Sequence, residues 1–199
     1  MVVSASVIAS KAGRDVLMAG GNAIDAAIAT GFALAVTYPT AGNIGGGGFM
    51  VVRMPDGRAT TIDFREMAPQ AATPEMFTDS TGAYSAARHH RSHVAVGVPG
   101  TVAGFALAHE KYGKLPWKQL VAPATALATD GFDVPSGLAA SLAGALTRMK
   151  AYPASIAAYS KDGVPYAVGE RLRQPDLART LTTLATRDAT GSIAGKRRV

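Results

Sequence analysis

Two consecutive helices are predicted at the start of the chain from the spacing of its apolar residues. Across residues 4–19, apolar side chains recur every three or four positions while charged ones lie on another face, and Gly20-Gly21 ends this helix. Asn22 is a typical cap for a second helix, and Asp25 falls in its first turn, where a negative charge is favoured. The second helix has almost no polar face, so we expect it to be buried on most sides.

A hairpin and a series of helices are predicted in the rest of the chain. Residues 49–54 and 59–64 are short β-rich runs, and Pro55-Asp56-Gly57 between them is a turn signal. Residues 66–82 are predicted to be irregular. The remaining predicted elements are helices at residues 101–111, 116–128, 138–149 and 175–184, a short strand at 94–98 and a turn at 131–135.

The composition indicates a globular protein and excludes several kinds of chemistry. Hydrophobic residues make up 48% of the 199 residues and charged residues 17%, which provides enough apolar surface for a core. Because there is no cysteine, a disulfide framework, a Cys-ligated metal site and a thiol nucleophile are excluded. The net charge of +6 includes Lys196-Arg197-Arg198 and a second basic cluster, Arg88-His89-His90-Arg91. Aromatic residues are few and not interleaved with basic ones, so nucleic-acid binding is not expected.

Neither an export signal nor a membrane span is predicted. Residues 1–10 lack the charged region with which a secretory signal begins. The long uncharged stretch at residues 26–52 is interrupted by Pro39 and by the glycine run at residues 45–48, whose backbone would be unsatisfied in lipid.

The glycine run at residues 45–48 is a candidate for close packing rather than for phosphate binding. No Gly-Lys-Ser/Thr follows it, and it leads into a strand instead of opening a helix. Glycines there would let the backbone lie close to another segment or to a ligand. A metal site is not expected, because His89, His90, His93 and His109 lack metal-binding spacing. A serine-hydrolase site is not expected either, since no Gly-x-Ser-x-Gly segment occurs.

Arg65 is the residue whose placement best suits ligand binding. It lies at the end of a predicted strand, just before an irregular loop. A guanidinium can bind a carboxylate through two parallel hydrogen bonds, which lysine cannot do. The alternative is a local salt bridge with Asp63 or Glu66, and the spacing alone favours neither interpretation.

Five short motifs occur along the chain. They are Gly20-Gly21-Asn22-Ala23-Ile24-Asp25-Ala26-Ala27, Gly45-Gly46-Gly47-Gly48-Phe49-Met50, Arg65-Glu66-Met67-Ala68-Pro69, Val98-Pro99-Gly100-Thr101-Val102-Ala103-Gly104 and Tyr112-Gly113-Lys114-Leu115-Pro116-Trp117. In this order they resemble the γ-glutamyltranspeptidases (glutathione hydrolases), which belong to the N-terminal nucleophile hydrolase superfamily. Each motif is weak alone, but five in the family's order are specific, and the resemblance extends over residues 6–184.

The resemblance implies an α+β fold, the αββα sandwich of N-terminal nucleophile hydrolases, of which this chain holds only a part. Residues 1–190 would be the first part of the large subunit, and residues 191–199 a divergent basic tail. In the family, a precursor cuts itself, and the threonine that begins the small subunit attacks the γ-glutamyl amide with its own amine as base. The resemblance assigns Arg65 to the α-carboxylate of the substrate and implies no cofactor and no metal.

The nucleophile of the family has no counterpart in this chain. The segment most similar to the family's nucleophile motif, Thr182-Thr183-Leu184, lies in a predicted helix and lacks the family's following histidine. No catalytic residue is therefore assigned. The chain alone is expected to be inactive, and its expected partners are the small-subunit segment and glutathione or another γ-glutamyl compound. Family members are often periplasmic or extracellular, and the compartment of this chain stays open. Two alternatives remain. One is part of a related acylase, acting on glutaryl-type β-lactam side chains or poly-γ-glutamate, and the other is a non-catalytic truncated remnant.

Overall fold

A computed structural model describes residues 1–186 as a helix-rich chain with short strands. The helices are α1 (Val7–Met18), α2 (Ala23–Thr37), α3 (Ala86–Arg91), α4 (Thr101–Tyr112), α5 (Trp117–Asp130), α6 (Ser136–Met149), α7 (Pro153–Tyr159) and α8 (Pro175–Thr186). The strands are β1 (Phe49–Arg53), β2 (Ala59–Asp63), β3 (Phe132–Asp133) and β4 (Arg171–Leu172). The chain divides into two compact units. The first comprises Met1–Asn43 and the chain from Leu107 onward, and the second comprises Ile44–Ala106.

The first unit is built on α2, the most apolar helix of the chain. Its side chains are buried on most of its circumference, as the sequence predicts, and α1 and α5 both pack against it. Gly13 on α1 allows a close approach to α2, because a Cβ at that position would overlap the hydroxyl of Thr30 and lie 2.9 Å from the carbonyl oxygen of Ala26. Phe32 meets the ring of Trp117 edge to face, with centroids 5.4 Å apart.

Two buried hydrogen bonds attach the later part of the chain to this core. The Gln174 side chain donates from Nε2 to the carbonyl of Val36 at 2.8 Å, and the Trp117 indole donates to the carbonyl of Leu184 at 2.9 Å. Because a buried polar group without a partner is costly, both bonds specify where α8 lies against α2 and α5.

The second unit is centred on the β1–β2 hairpin. The strands are antiparallel, with Phe49 opposite Asp63 and Arg53 opposite Ala59. Successive side chains of a strand point to opposite faces, so Val52 and Ile62 are buried while Phe49 and Val51 are 64% and 77% exposed. Beyond the hairpin, no residue from 65 to 99 is buried, and this stretch contains α3 and two short 3-10 helices, Pro74–Phe77 and His93–Ala95.

The structure confirms the predicted hairpin, the first two helices and the helices now named α4, α5, α6 and α8, with ends shifted by a few residues. The strand predicted at residues 94–98 is wrong. Its valines are all exposed, and only Val98 pairs, through an isolated bridge to Met67. Strand propensity needs a neighbouring strand to be realised, and the described chain offers none there.

The turn predicted at residues 131–135 is also wrong in part, because Phe132–Asp133 pairs with Arg171–Leu172, a partner remote in sequence. The short helices α3 and α7 were not predicted. The predicted tail at residues 191–199 lies outside the described residues. Among residues 1–186, no helix is both long and apolar enough to span a bilayer.

Candidate functional site

Arg65 is held at the end of β2 by the strand itself. The residue before it, Phe64, is buried and donates its backbone N–H to the carbonyl of Gly48 at 3.0 Å, which continues the hairpin ladder by one residue. The Arg65 backbone N–H donates to the Asp63 carboxylate at 3.0 Å. The backbone of Arg65 is therefore fixed, although its side chain is exposed.

Glycines of two different motifs pack against this backbone. A Cβ at Gly47 would lie 2.7 Å from the Cα of Arg65, and a Cβ at Gly100 would overlap the carbonyl group of Phe64. Any side chain at either position would displace the segment that carries Arg65. The close approach predicted for the glycine run is confirmed. We call Gly47, Phe64, Arg65 and Gly100 the arginine cluster.

The start of α4 is tied to the same place. The carbonyl oxygen of Gly46 accepts hydrogen bonds from the backbone N–H groups of Gly100 at 2.7 Å and Thr101 at 3.0 Å. The ring of Phe64 packs against Gly104, where a Cβ would collide with it, and meets Phe105 at a centroid distance of 5.8 Å. Three of the five motifs thus converge on the arginine cluster, within the second unit.

The side chain of Arg65 forms no ion pair with any residue that the structure describes. The Asp63 carboxylate accepts from the Arg65 backbone instead of from its guanidinium, so the local salt bridge considered above is not formed with Asp63. A Glu66 pair is not formed either, and the Glu66 carboxylate lies beside Gly47. The five N–H donors of the guanidinium are therefore available to a planar anion such as a carboxylate.

The other two motifs meet in the first unit, around the start of α2. Asn22 caps α2 by accepting from the N–H groups of Ile24 and Asp25, and its Nδ2 donates to the carbonyl of Tyr112 at 2.6 Å. The Asp25 carboxylate accepts from the Lys114 N–H at 3.0 Å and from the Leu115 N–H at 3.2 Å. We call these residues, Asn22 and Asp25 with the 112–115 segment, the capping cluster.

The capping cluster is a saturated structural site. Asp25 has no exposed surface, and its remaining contact is the N–H of Asn22 at 3.0 Å, which completes a capping box. His109 lies beside it and is partly buried, and its Nε2 must donate to the Leu115 carbonyl at 2.7 Å, because that carbonyl can only accept. Sequence reasoning placed Asp25 at the helix start but missed its second role, because the 112–115 segment is remote in the chain.

The hydroxyls of Thr182 and Thr183, which were not assigned as the nucleophile, form hydrogen bonds within their own helix. The hydroxyl of Thr182 donates to the carbonyl of Ala178 at 2.8 Å, and that of Thr183 donates to the carbonyl of Arg179 at 3.0 Å. No basic group of residues 1–186 contacts either hydroxyl, so within the described chain neither has the arrangement of an activated nucleophile. Within residues 1–186 no group of three or more histidine or acidic side chains could hold a metal ion.

A cavity of about 410 Å³ lies between α5 and α8 and contains none of the motif residues. Its polar lining is mostly threonine, and the hydroxyls of Thr125, Thr129, Thr182 and Thr186 all donate to carbonyls of their own helices. The other polar lining residues are Lys118 and Asp130, so few polar groups are left to orient a ligand.

Shifted pKa values have local structural causes. Burial raises the pKa of Tyr159 on α7. A hydrogen bond from Lys161 lowers the pKa of Glu170, and hydrogen bonds from Thr81 lower that of Asp79. None of these groups belongs to the arginine cluster, so they do not identify a catalytic acid or base.

Comparison with known proteins identifies the same family as the five motifs do. The family described as Gamma-glutamyltranspeptidase matches residues 9–195. The chain is 48% identical to a glutathione hydrolase proenzyme of Pseudomonas sp. (strain A14), covering 98% of this chain and 34% of that protein. It is 43% identical to the γ-glutamyltranspeptidase structure of Helicobacter pylori, with a TM-score of 0.90, covering 94% of this chain and 54% of that one.

A more distant solved structure is a cephalosporin acylase from Bacillus halodurans, 31% identical with a TM-score of 0.79, covering 92% of this chain and 34% of that one. The likeness to solved transpeptidases confirms the predicted α+β fold class and its partial presence here. The chain spans about a third of the length of the curated relatives that it matches. By the extent of the family match and the identity to its members, the chain belongs to the γ-glutamyltranspeptidase family.

Proposed function

We propose that this chain is the first part of the large subunit of a γ-glutamyltransferase or glutathione hydrolase, in which Arg65 binds the α-carboxylate of the γ-glutamyl substrate. The observation that carries the proposal is the state of Arg65. Its backbone is packed between Gly47 and Gly100, while its exposed guanidinium has no ion-pair partner among the described residues. A rigidly packed backbone that carries a guanidinium without an ion-pair partner suits selective recognition of a carboxylate.

The bond-making group in this proposal lies outside the chain. The threonine at the start of the small subunit attacks the γ-carbonyl, and its hydroxyl proton passes to its own α-amine. The amide nitrogen leaves with a proton, and water or an amine then releases the acyl group. The role of Arg65 is to orient the γ-glutamyl group for that attack, which is a positioning contribution. The engaged hydroxyls of Thr182 and Thr183 support a nucleophile supplied elsewhere.

The second partner in the proposal is the small-subunit segment, which we expect to cover the exposed face of the hairpin. Within the described chain, β1 and β2 form a sheet of two strands only. Phe49 and Val51 project from it with most of their surface exposed. Two-stranded sheets are marginally stable alone, and large apolar side chains in a row indicate a surface that is covered in the complete protein. The proenzyme names of the relatives support glutathione as the substrate and a precursor as the source.

The test is a chimera, because the bond-making group lies outside this chain. The corresponding segment of the Pseudomonas sp. relative, 48% identical, is replaced by residues 1–186, and hydrolysis of a γ-glutamyl anilide is measured. Arg65→Ala should raise KM by about 30-fold or more, since truncating one partner of a charge-assisted pair costs at least about 2 kcal/mol. Arg65→Lys should recover only part of this loss.

The matched control is Arg58→Ala, which removes an exposed arginine from the same unit, already paired with Asp56. It should leave KM unchanged. An unchanged KM in the Arg65→Ala chimera would remove Arg65 from the substrate site. The isolated 199-residue chain should show no turnover, and turnover that is lost on Arg65→Ala would contradict the external nucleophile. A folded but inactive chimera would favour a non-catalytic remnant.

A related acylase is the second candidate, favoured by the similarity to the cephalosporin acylase. A glutaryl amide keeps a carboxylate at the position of the γ-glutamyl α-carboxylate and lacks only the α-amine, so the contact proposed for Arg65 suits both substrates. Comparison of γ-glutamyl and glutaryl anilides in the same chimera separates the two. Faster turnover of the γ-glutamyl substrate supports the transferase and faster turnover of the glutaryl substrate supports the acylase, while Arg65→Ala should raise KM for both.

A further inference from the structure

Residues 68–97 form an excursion that leaves and returns beside Arg65. The excursion closes at the isolated bridge between Met67 and Val98, where the Val98 N–H donates to the Met67 carbonyl at 2.8 Å. Gly97 packs there against the Glu66 side chain, since a Cβ at Gly97 would lie 3.3 Å from the Cγ of Glu66. None of residues 68–97 is buried, so no hydrophobic core holds the excursion together. Segments of this kind open locally at a low free-energy cost.

A group of four rings is the main side-chain packing inside the excursion. The hydroxyl of Tyr84 lies 2.8 Å from Nδ1 of His89 and 3.3 Å from Nε2 of His90. The two imidazoles stack with centroids 4.3 Å apart, and Phe77 packs on His89 at 4.4 Å. We call Phe77, Tyr84, His89 and His90 the histidine cluster. It joins α3 to the 3-10 helix Pro74–Phe77 and to the turn that the Thr78–Tyr84 bridge closes.

We propose that the histidine cluster is a pH-sensitive latch, which holds the excursion together near neutral pH and releases it when both imidazoles are protonated. The proposal does not depend on the function proposed for Arg65.

The hydroxyl of Tyr84 has a single proton, and this limits the protonation states that fit. With both imidazoles neutral, the hydroxyl donates to one ring nitrogen and accepts from the N–H of the other. One added proton is compatible with the same pattern, because the charged ring becomes the donor. A second proton makes both rings donors, so the hydroxyl proton loses its acceptor and two positive charges face each other across 4.3 Å.

The surroundings add to the repulsion. Arg88 and Arg91 lie on the same helix and His93 on the following 3-10 helix. The acidic groups on the elements packed against the cluster are Glu75 and Asp79, and the Asp79 carboxylate is occupied by the hydroxyl and N–H of Thr81 within its own turn. Histidine is the ordinary side chain whose charge can change between about pH 5 and pH 8, so protection is compared across that interval.

The test is amide hydrogen exchange of the full 199-residue chain at about pH 7.5 and pH 5.5, with rates corrected for the intrinsic effect of pH. Repulsion between two unit charges about 4 Å apart in water corresponds to about a fivefold change in an equilibrium constant. We expect the corrected opening of residues 78–91 to rise about fivefold or more at the lower pH, while α2 and α5 do not change. Equal protection of residues 78–91 at the two pH values would overturn the proposal.

The paired variants are His90→Gln and His93→Gln. Glutamine keeps a polar group facing Tyr84 but cannot take a charge, so His90→Gln should abolish the pH response. His93→Gln removes a histidine outside the cluster and should retain the response. A response that survives in His90→Gln, or disappears in His93→Gln, would contradict the latch.

A second measurement uses only the wild-type chain. The imidazole proton resonances of His89 and His90 should shift over the same pH interval in which protection is lost. Loss of protection at a pH where neither resonance moves would assign the opening to other groups and overturn the latch.

Discussion

The capping cluster and the arginine cluster are both built from motifs of one family, yet their side chains are used in opposite ways. In the capping cluster, Asp25 has no exposed surface, and its carboxylate accepts from three backbone N–H groups of two chain segments. In the arginine cluster, the charged group projects outward, and it is the backbone of Arg65 that is packed tightly, between Gly47 and Gly100.

The difference shows how a charged residue of a family motif can be assigned to stability or to binding. A buried charge whose hydrogen-bonding capacity is filled by the protein has nothing left to offer a ligand. An exposed charge on a rigid backbone retains its donors and carries little of the folding energy. Substitutions of the two charged residues, Asp25 and Arg65, should therefore separate into an effect on stability and an effect on substrate binding.

The largest effect on stability is expected for Asp25→Ala. It removes the acceptor of the Asn22, Lys114 and Leu115 N–H groups in a buried place, and should lower the free energy of unfolding by about 3 kcal/mol or more. Urea denaturation followed by the fluorescence of the single tryptophan, Trp117, measures it. Arg65→Ala should change the same quantity by no more than about 0.5 kcal/mol. Equal losses in the two variants would remove the distinction between the clusters.

Gly100→Ala should have the next largest effect, on the packing around Arg65. The added Cβ would overlap the carbonyl of Phe64, and relief of such overpacking costs about 1–3 kcal/mol. Hydrogen exchange of residues 49–64 should become faster. Gly45→Ala is the matched control from the glycine run, because nothing lies within 4 Å of a Cβ there. If Gly45→Ala is as damaging as Gly100→Ala, the close approach is not what requires glycine.

Asn22→Ala tests the cap of α2 separately from the Asp25 carboxylate. Loss of the cap acceptor should cost about 1 kcal/mol of unfolding free energy. Asn22→Ser keeps an acceptor for the cap but cannot make the bond from Nδ2 to the Tyr112 carbonyl. Thermal denaturation of the two variants should place Asn22→Ser between wild type and Asn22→Ala. A serine variant no better than alanine would mean that the bond to Tyr112 is the dominant contribution.

The smallest effect is expected for Glu170, an exposed carboxylate in the same unit as Asp25. The ion pair with Lys161 and the Ala167 N–H lower its pKa from the ordinary value of 4.5. The unfolded chain therefore binds this proton more readily, so the contribution to stability is present above pH 4.5 and is lost as the pH falls through the lowered pKa. Glu170→Gln should be slightly less stable than wild type at pH 7, and this difference should shrink as the pH falls below 4.5. A difference that grows on acidification would reverse the sign of the linkage.

Local elements were predictable where their signals lie within a few residues. The cap at Asn22, the glycine stop after α1 and the Pro55-Asp56-Gly57 turn each depend on neighbours in the chain, and the structure has all three features. The exposed valines at residues 94–98 show the opposite case, because a β-rich run became a strand only where a partner existed. The β3–β4 pair was missed for the same reason, since its two strands are far apart in sequence.

The sequence by itself determined the order of the six longer helices of the described chain, the hairpin, the absence of cysteine and the five motifs that indicate the family. Only the tertiary structure decided what each motif does. Asp25 meets Lys114, and Gly47 and Gly100 meet the segment of Arg65, through contacts between residues that are distant in the chain. Whether a charged residue is saturated or available depends on those distant neighbours, because burial and hydrogen bonding are properties of the packed chain and not of its local spacing.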